Sequence, residues 1–95
     1  MSAIEIESRL LQSDIVSECA VIGVADEKYG EEIVAYIVKD SKCTLSDSEA
    51  QKALDSHIRN LMDSYKIPRV WRFTSELPRN HMGKLNKPEL RKNHK

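Results

Sequence analysis

Apolar and polar positions alternate along this chain in two rhythms. Near the start, Ile4, Ile6, Leu10 and Leu11 are separated by charged residues at spacings that mark one or two faces of a helix ending near Ser13. Ser2 stands three residues before Glu5, the spacing of a capping box, in which each side chain accepts the other residue's backbone N–H. SECAVIGVAD at 17 to 26 is a compact apolar run, broken by Gly23 and closed by Asp26, and it predicts a buried strand. EIVAYIVKD at 32 to 40 predicts a second, β-branched strand. ADEKYGEE, with Gly30 as its break, predicts a long loop between them, so the two strands would pair as an antiparallel hairpin.

SDSE at 46 to 49 repeats the capping-box spacing. After it Ala50, Ala53, Leu54, His57, Ile58, Leu61, Met62 and Tyr65 recur every three or four residues, the clearest helical signal in the chain. Pro68 ends that helix, because a proline disfavours helical geometry in the residue before it. RVWRF at 69 to 73 predicts a third strand, with Trp71 and Phe73 facing away from Val70 and Arg72. Lys87-Pro88-Glu89-Leu90 opens a last short helix, with proline tolerated in its first turn. The order α-β-β-α-β-loop-α predicts an α+β fold, a small three-stranded mixed sheet packed by helices, in a single domain over residues 1–95.

Composition agrees with one globular unit and removes several function classes. At 95 residues, 40% hydrophobic and 32% charged, the chain holds enough apolar side chains to form a core, and its composition does not favour disorder. Its apolar runs, such as IVAYIV at 33 to 38, are far too short to span a membrane. Met-Ser-Ala followed by charged residues resembles neither a secretory leader nor an Arg-rich transit peptide, so the expected location is intracellular, in the cytoplasm or a mitochondrion. Cys19 and Cys43 have no CxxC spacing, and His57, His81 and His94 are scattered, so no metal site is expected. Cys19 reads as a small buried hydrophobe, and His57 as a residue at the edge of the core, with no nucleophile or acid at a recognisable spacing.

Charge changes the picture more. The net charge of zero conceals a split: residues 1–65 hold six Lys/Arg and thirteen Asp/Glu, a net −7, whereas residues 66–95 hold nine and two, a net +7. A basic last third provides a surface for an anion, which could be a nucleotide, a nucleic acid or an acidic partner, or it could simply balance the acidic remainder. A nucleic-acid-binding or protein-interaction module is therefore an alternative reading. Against the first of these, the chain lacks an RNP-type aromatic pair, a GxxG loop and zinc-finger spacing.

The candidate chemistry sits in LPRNHMGKLNK, where Gly83-Lys84 lies in a polar loop. A Walker loop requires glycine five residues before that glycine and Ser or Thr after the lysine. Those positions hold Pro78, which has no N–H to offer a phosphate, and Leu85, which excludes a cradle of that type. What remains is one lysine, a compact charge on a flexible stem, beside a glycine that permits unusual backbone angles and close approach. From the loop alone, Lys84 is either an anion-seeking group or an ordinary solvated lysine.

Four stretches taken together narrow the choice. IEIESRL, VSECAVIGVADEKYGEE, YKIPRVWRFTSELP and PRNHMGK with Lys87 downstream resemble, in this order, the C-terminal domain of the adenylate-forming acyl-CoA synthetases. The resemblance runs from about Ile4 to Lys92. Ala25 departs from it, where the family usually has proline, as does Ser13-Asp14, where His-Pro is common. PRNHMGKLNK is closer to malonyl-CoA synthetases than to acetate enzymes, which carry a smaller residue before GK. The resemblance implies a small C-terminal lid domain whose partner is a large N-terminal adenylation domain, absent here along with the hinge and the Ser/Thr/Gly-rich ATP loop. It implies a complete enzyme that uses ATP, Mg2+ and CoA, bound mostly by that missing domain, to adenylate a carboxylic acid and pass it to CoA. Lys84 would be the catalytic lysine of the first step, with Gly83, Arg79 and Lys87 as nucleotide- or substrate-binding candidates and Arg91 as a further phosphate-attracting charge. It also implies that these 95 residues are inactive alone.

Overall fold

The computed structural model describes residues 3–26, 30–61 and 67–93. Helix α1 spans Ala3–Leu10, strand β1 Val16–Asp26, strand β2 Gly30–Lys39, helix α2 Asp47–Leu61, strand β3 Val70–Phe73 and helix α3 Lys87–Asn93. The expected element order and the mixed sheet are therefore found. β2 is central, antiparallel to β1 and parallel to β3. Antiparallel strands can be joined by a short turn, but a parallel pair needs a crossover, which α2 provides between β2 and β3.

Alternation along the strands divides the core into two layers. Val21, Ile33, Ala35, Ile37 and Trp71 face one way, against Ile6 and Leu10 of α1 and Leu54 and Ile58 of α2. Ala20, Ile22 and Val34 face the other way, with Leu77 and with Leu90 of α3. Both sheet faces are covered, which is why the strand sequences read as unbroken apolar runs. Trp71 and Phe73 belong to the helix layer and Val70 to the other, as their alternation predicts.

Several local expectations need adjustment. α1 keeps only Ile6 and Leu10, four residues apart, in the core, leaving Ile4 76% and Leu11 51% exposed. The helix ends at Leu10, and the chain turns through Gln12 and Ser13 N–H groups bonded to the Arg9 and Leu10 carbonyls. The β1–β2 loop is shorter than predicted: pairing continues through Ala25↔Glu31 and Asp26↔Gly30, so only residues 27–29, outside the described set, separate the strands. Gly23 pairs with Ile33 and does not break β1. The Ser2 cap, and the Met62 and Tyr65 positions of the long helical pattern, lie outside the described residues.

The capping box at 46 to 49 forms in both directions. Ser46 N–H donates to Glu49 Oε1 at 3.0 Å, and Glu49 N–H donates to Ser46 Oγ at 3.2 Å. His57 Nε2 lies 2.8 Å from the Arg9 carbonyl. A carbonyl can only accept, so Nε2 carries the proton and ties α2 to the end of α1. No described helix is long and apolar enough to cross a membrane.

Candidate functional site

The polar segment after β3 folds as a small closed hairpin, standing on the sheet face opposite α1 and α2. Three leucines seat it: Leu77 before it, Leu85 on its return and Leu90 in α3 all pack in the second core layer. Arg79 and Leu85 form an antiparallel bridge, and Asn86 N–H donates to the Pro78 carbonyl at 2.9 Å. Asn86 then caps α3, its Oδ1 accepting the Glu89 N–H at 3.2 Å.

Within the hairpin, Asn80 organises the turn. Its backbone N–H donates to the Lys84 carbonyl and its own carbonyl accepts the Gly83 N–H, both at 2.9 Å. Its side-chain Oδ1 accepts from Met82 N–H at 2.9 Å and from Lys84 N–H at 3.1 Å. Gly83 takes φ +80°, a left-handed conformation that L side chains rarely adopt. A Cβ there would meet nothing within 4 Å, so backbone angle, and not crowding inside this chain, accounts for the glycine.

The cations of this segment are treated differently. Arg79 Nη1 donates to the Gly83 carbonyl at 3.1 Å while Nη2 pairs with Glu18 of β1. Lys87 Nζ is 3.0 Å from Glu7 Oε2 of α1, and the same oxygen accepts the Val21 N–H at 2.7 Å. Glu7 thus reaches the outer edge of β1, occupies a backbone donor that no strand satisfies there, and links α1 to α3. Arg91 Nε makes a long 3.5 Å contact to the Gly23 carbonyl. Lys84 is exposed, and none of the described groups takes a hydrogen bond or ion pair from its Nζ. The hairpin brings Arg79, Gly83 and Lys84 together, whereas Lys87 lies beyond the return strand and faces α1.

Asn80 and Glu18 are the contributors that sequence reasoning missed. An asparagine shortly before a glycine is a turn signal that could have pointed to Asn80. Nothing local marks Glu18, which lies 61 residues from the arginine it meets. Three surface grooves among the described residues, one of about 650 Å³ at the base of β1 and β2, are lined without any residue of the hairpin. The arrangement is an exposed, internally bonded turn carrying a lysine with no partner among the described residues. No described group of three His, Cys, Asp or Glu side chains could hold a metal ion.

The comparisons with known proteins agree with one another. The sequence model of the AMP-binding enzyme C-terminal domain matches residues 5–84, a stretch that ends on Lys84. A CoA ligase of Gibberella moniliformis is 40% identical over 95% of this chain and 15% of its own length. A malonate–CoA ligase of Arabidopsis thaliana is 38% identical over 97% of this chain and 16% of its own. Among solved structures, an acyl-CoA synthetase of Brucella canis superposes with a TM-score of 0.86 at 29% identity, covering 97% of this chain and 17% of that one. The chain therefore spans about a sixth of the length of the relatives it matches.

Proposed function

The chain belongs to the AMP-binding enzyme C-terminal domain family, and on that premise we propose that it is the small domain of an acid–CoA ligase. Its partner is then a large N-terminal domain of the same polypeptide. The complete enzyme joins a carboxylic acid to AMP with release of pyrophosphate, then transfers the acyl group to the thiol of CoA with release of AMP. The observation that carries this reading is the state of Lys84. It stands on an internally bonded turn, its ammonium without a partner among the described residues, while Arg79 and Lys87 are each held by a carboxylate.

In the adenylation step a carboxylate oxygen attacks the α-phosphorus of ATP, so two anions must be brought together. Lys84 bridges them, neutralising charge that concentrates on the carboxylate and phosphate oxygens as the new bond forms. The Gly83–Lys84 turn presents the ammonium away from the body of the domain. Lys87 adds positive potential for the phosphates of ATP or CoA from its paired position. The described residues do not fit a Mg2+ site, so the ion falls to the large domain in this reading. The acyl pocket belongs there too, and the loop by itself assigns no acid.

The test is acid-dependent ATP–pyrophosphate exchange by the full-length enzyme. Removing one preorganised charged donor from a closed site costs on the order of 10²- to 10³-fold. Lys84→Ala is expected to lower exchange by that amount and Lys87→Ala by only a few-fold; equal exchange by Lys84→Ala and wild type would overturn the assignment. The nucleic-acid alternative finds no support: Trp71 is buried in the core and Phe73 packs against it, half-buried under Lys39.

A further inference from the structure

We propose that Arg79 is a positioning residue for Lys84, anchored by Glu18, and that this is its main contribution to adenylation. The proposal rests on the catalytic reading of Lys84 given above. A lysine side chain is flexible, so the precision of its ammonium depends on the peptide from which it departs. The Gly83–Lys84 peptide is held at both of its polar ends. Its carbonyl accepts from Arg79 Nη1 at 3.1 Å, and its N–H donates to Asn80 Oδ1 at 3.1 Å. Asn80 lies within the hairpin, so its grip rigidifies the turn without fixing where the turn sits. Arg79 does fix it, because the second arm of the same planar guanidinium is paired with Glu18 on β1. The strut therefore runs from the sheet through Glu18 and Arg79 to the carbonyl directly before Lys84. A lysine at position 79 could meet either partner, but it lacks the planar fork that holds both in one geometry.

A phosphate-binding role for Arg79 makes the opposite prediction at Glu18. If Arg79 exists to hold phosphate, Glu18 competes with the ligand, and Glu18→Gln leaves ATP binding unchanged or tighter. If Arg79 positions the loop, Glu18→Gln releases the strut and slows the same step that Arg79→Gln slows. The pair is solvent-exposed on both sides, so its loss has little effect on folding.

The experiment compares Arg79→Gln, Arg79→Lys, Glu18→Gln, their Gln double variant and Lys84→Ala in the full-length enzyme. Misplacing a reacting group by about an ångström costs up to about 10²-fold. Arg79→Gln and Glu18→Gln are each expected to lower kcat for adenylation on the order of 10-fold, with KM for ATP within about twofold of wild type. Arg79→Lys falls between them and wild type. The double variant is expected to be no slower than Arg79→Gln, since both changes cut one strut. Thioester formation from supplied acyl–adenylate and the thermal midpoint stay at wild-type values. Wild-type turnover by Glu18→Gln, or a raised KM for ATP with intact kcat in Arg79→Gln, overturns the proposal. Intact adenylation in Lys84→Ala overturns the catalytic reading beneath it, an outcome that the other variants cannot produce.

Discussion

At the scale of single residues, one carboxylate connects three parts of the fold. Glu7 accepts the Val21 N–H, pairs with Lys87, and lies close enough to Cys19 to affect its thiol. The thiol donates to the Glu7 carbonyl at 3.5 Å, and burial, followed by the Glu7 charge, pushes its pKa from 9.0 to about 12, while Lys87 opposes the rise. Between pH 9 and about 12 the unfolded chain gives up this proton and the folded chain keeps it. The stabilisation is therefore complete below pH 9 and lost as pH rises toward 12. In urea unfolding under reducing conditions, the stability advantage of wild type over Cys19→Ala should shrink from pH 9 upward. A constant difference across that range would show that the thiol titrates alike in both states. The sequence reading of Cys19 as a small apolar residue was sound as far as packing goes, but its half-buried position beside an ion pair is visible only in three dimensions.

At the scale of elements, the start of α2 is the most exacting local test. Both arms of its capping box are exposed, so they act on the helix and not through the core. Replacing an N-cap serine by alanine typically costs about 1 kcal/mol, and Ser46→Ala should lose that much in chemical denaturation with an unchanged m-value. The Ser46 backbone N–H, and after it the Ser46 hydroxyl, hold the Glu49 carboxyl below its ordinary pKa of 4.5. Its contribution is present above that value and disappears as pH falls through the lowered one, so the cost of Glu49→Ala should vanish in acid. This cap was readable because everything it needs lies within four residues. The extent of the β1–β2 hairpin was not, since Asp26, Gly30, Glu31 and Glu32 look like loop residues and pair as strand only because β1 and β2 are already in register. The GK loop fell between these cases. Its glycine, lysine and prolines were legible as motif and turn, Asn80 was legible in principle, and the Glu18–Arg79 strut depends on a contact between distant segments.

At the scale of the whole molecule, the domain places its structural interactions and its candidate chemistry apart. Helices α1 and α2 cover one sheet face, while the opposite face carries α3 and the hairpin, with Lys84 exposed and Met82 70% exposed at its tip. Both core layers are built from this chain's own residues, and the described residues enclose no reaction space. Purified residues 1–95 should therefore show a cooperative unfolding transition and no acid-dependent ATP–pyrophosphate exchange; measurable exchange would require a complete site that the described residues do not form. The two half-reactions of the full-length enzyme test the central claim most directly, measured separately in wild type and Lys84→Ala. If Lys84 acts only while the carboxylate and α-phosphate are being joined, adenylation should fall on the order of 10²- to 10³-fold. CoA thioester formation from supplied acyl–adenylate should stay near the wild-type rate, because that step joins no carboxylate to a phosphate for Lys84 to bridge. An equal fall in both half-reactions, or no fall in either, would contradict the account.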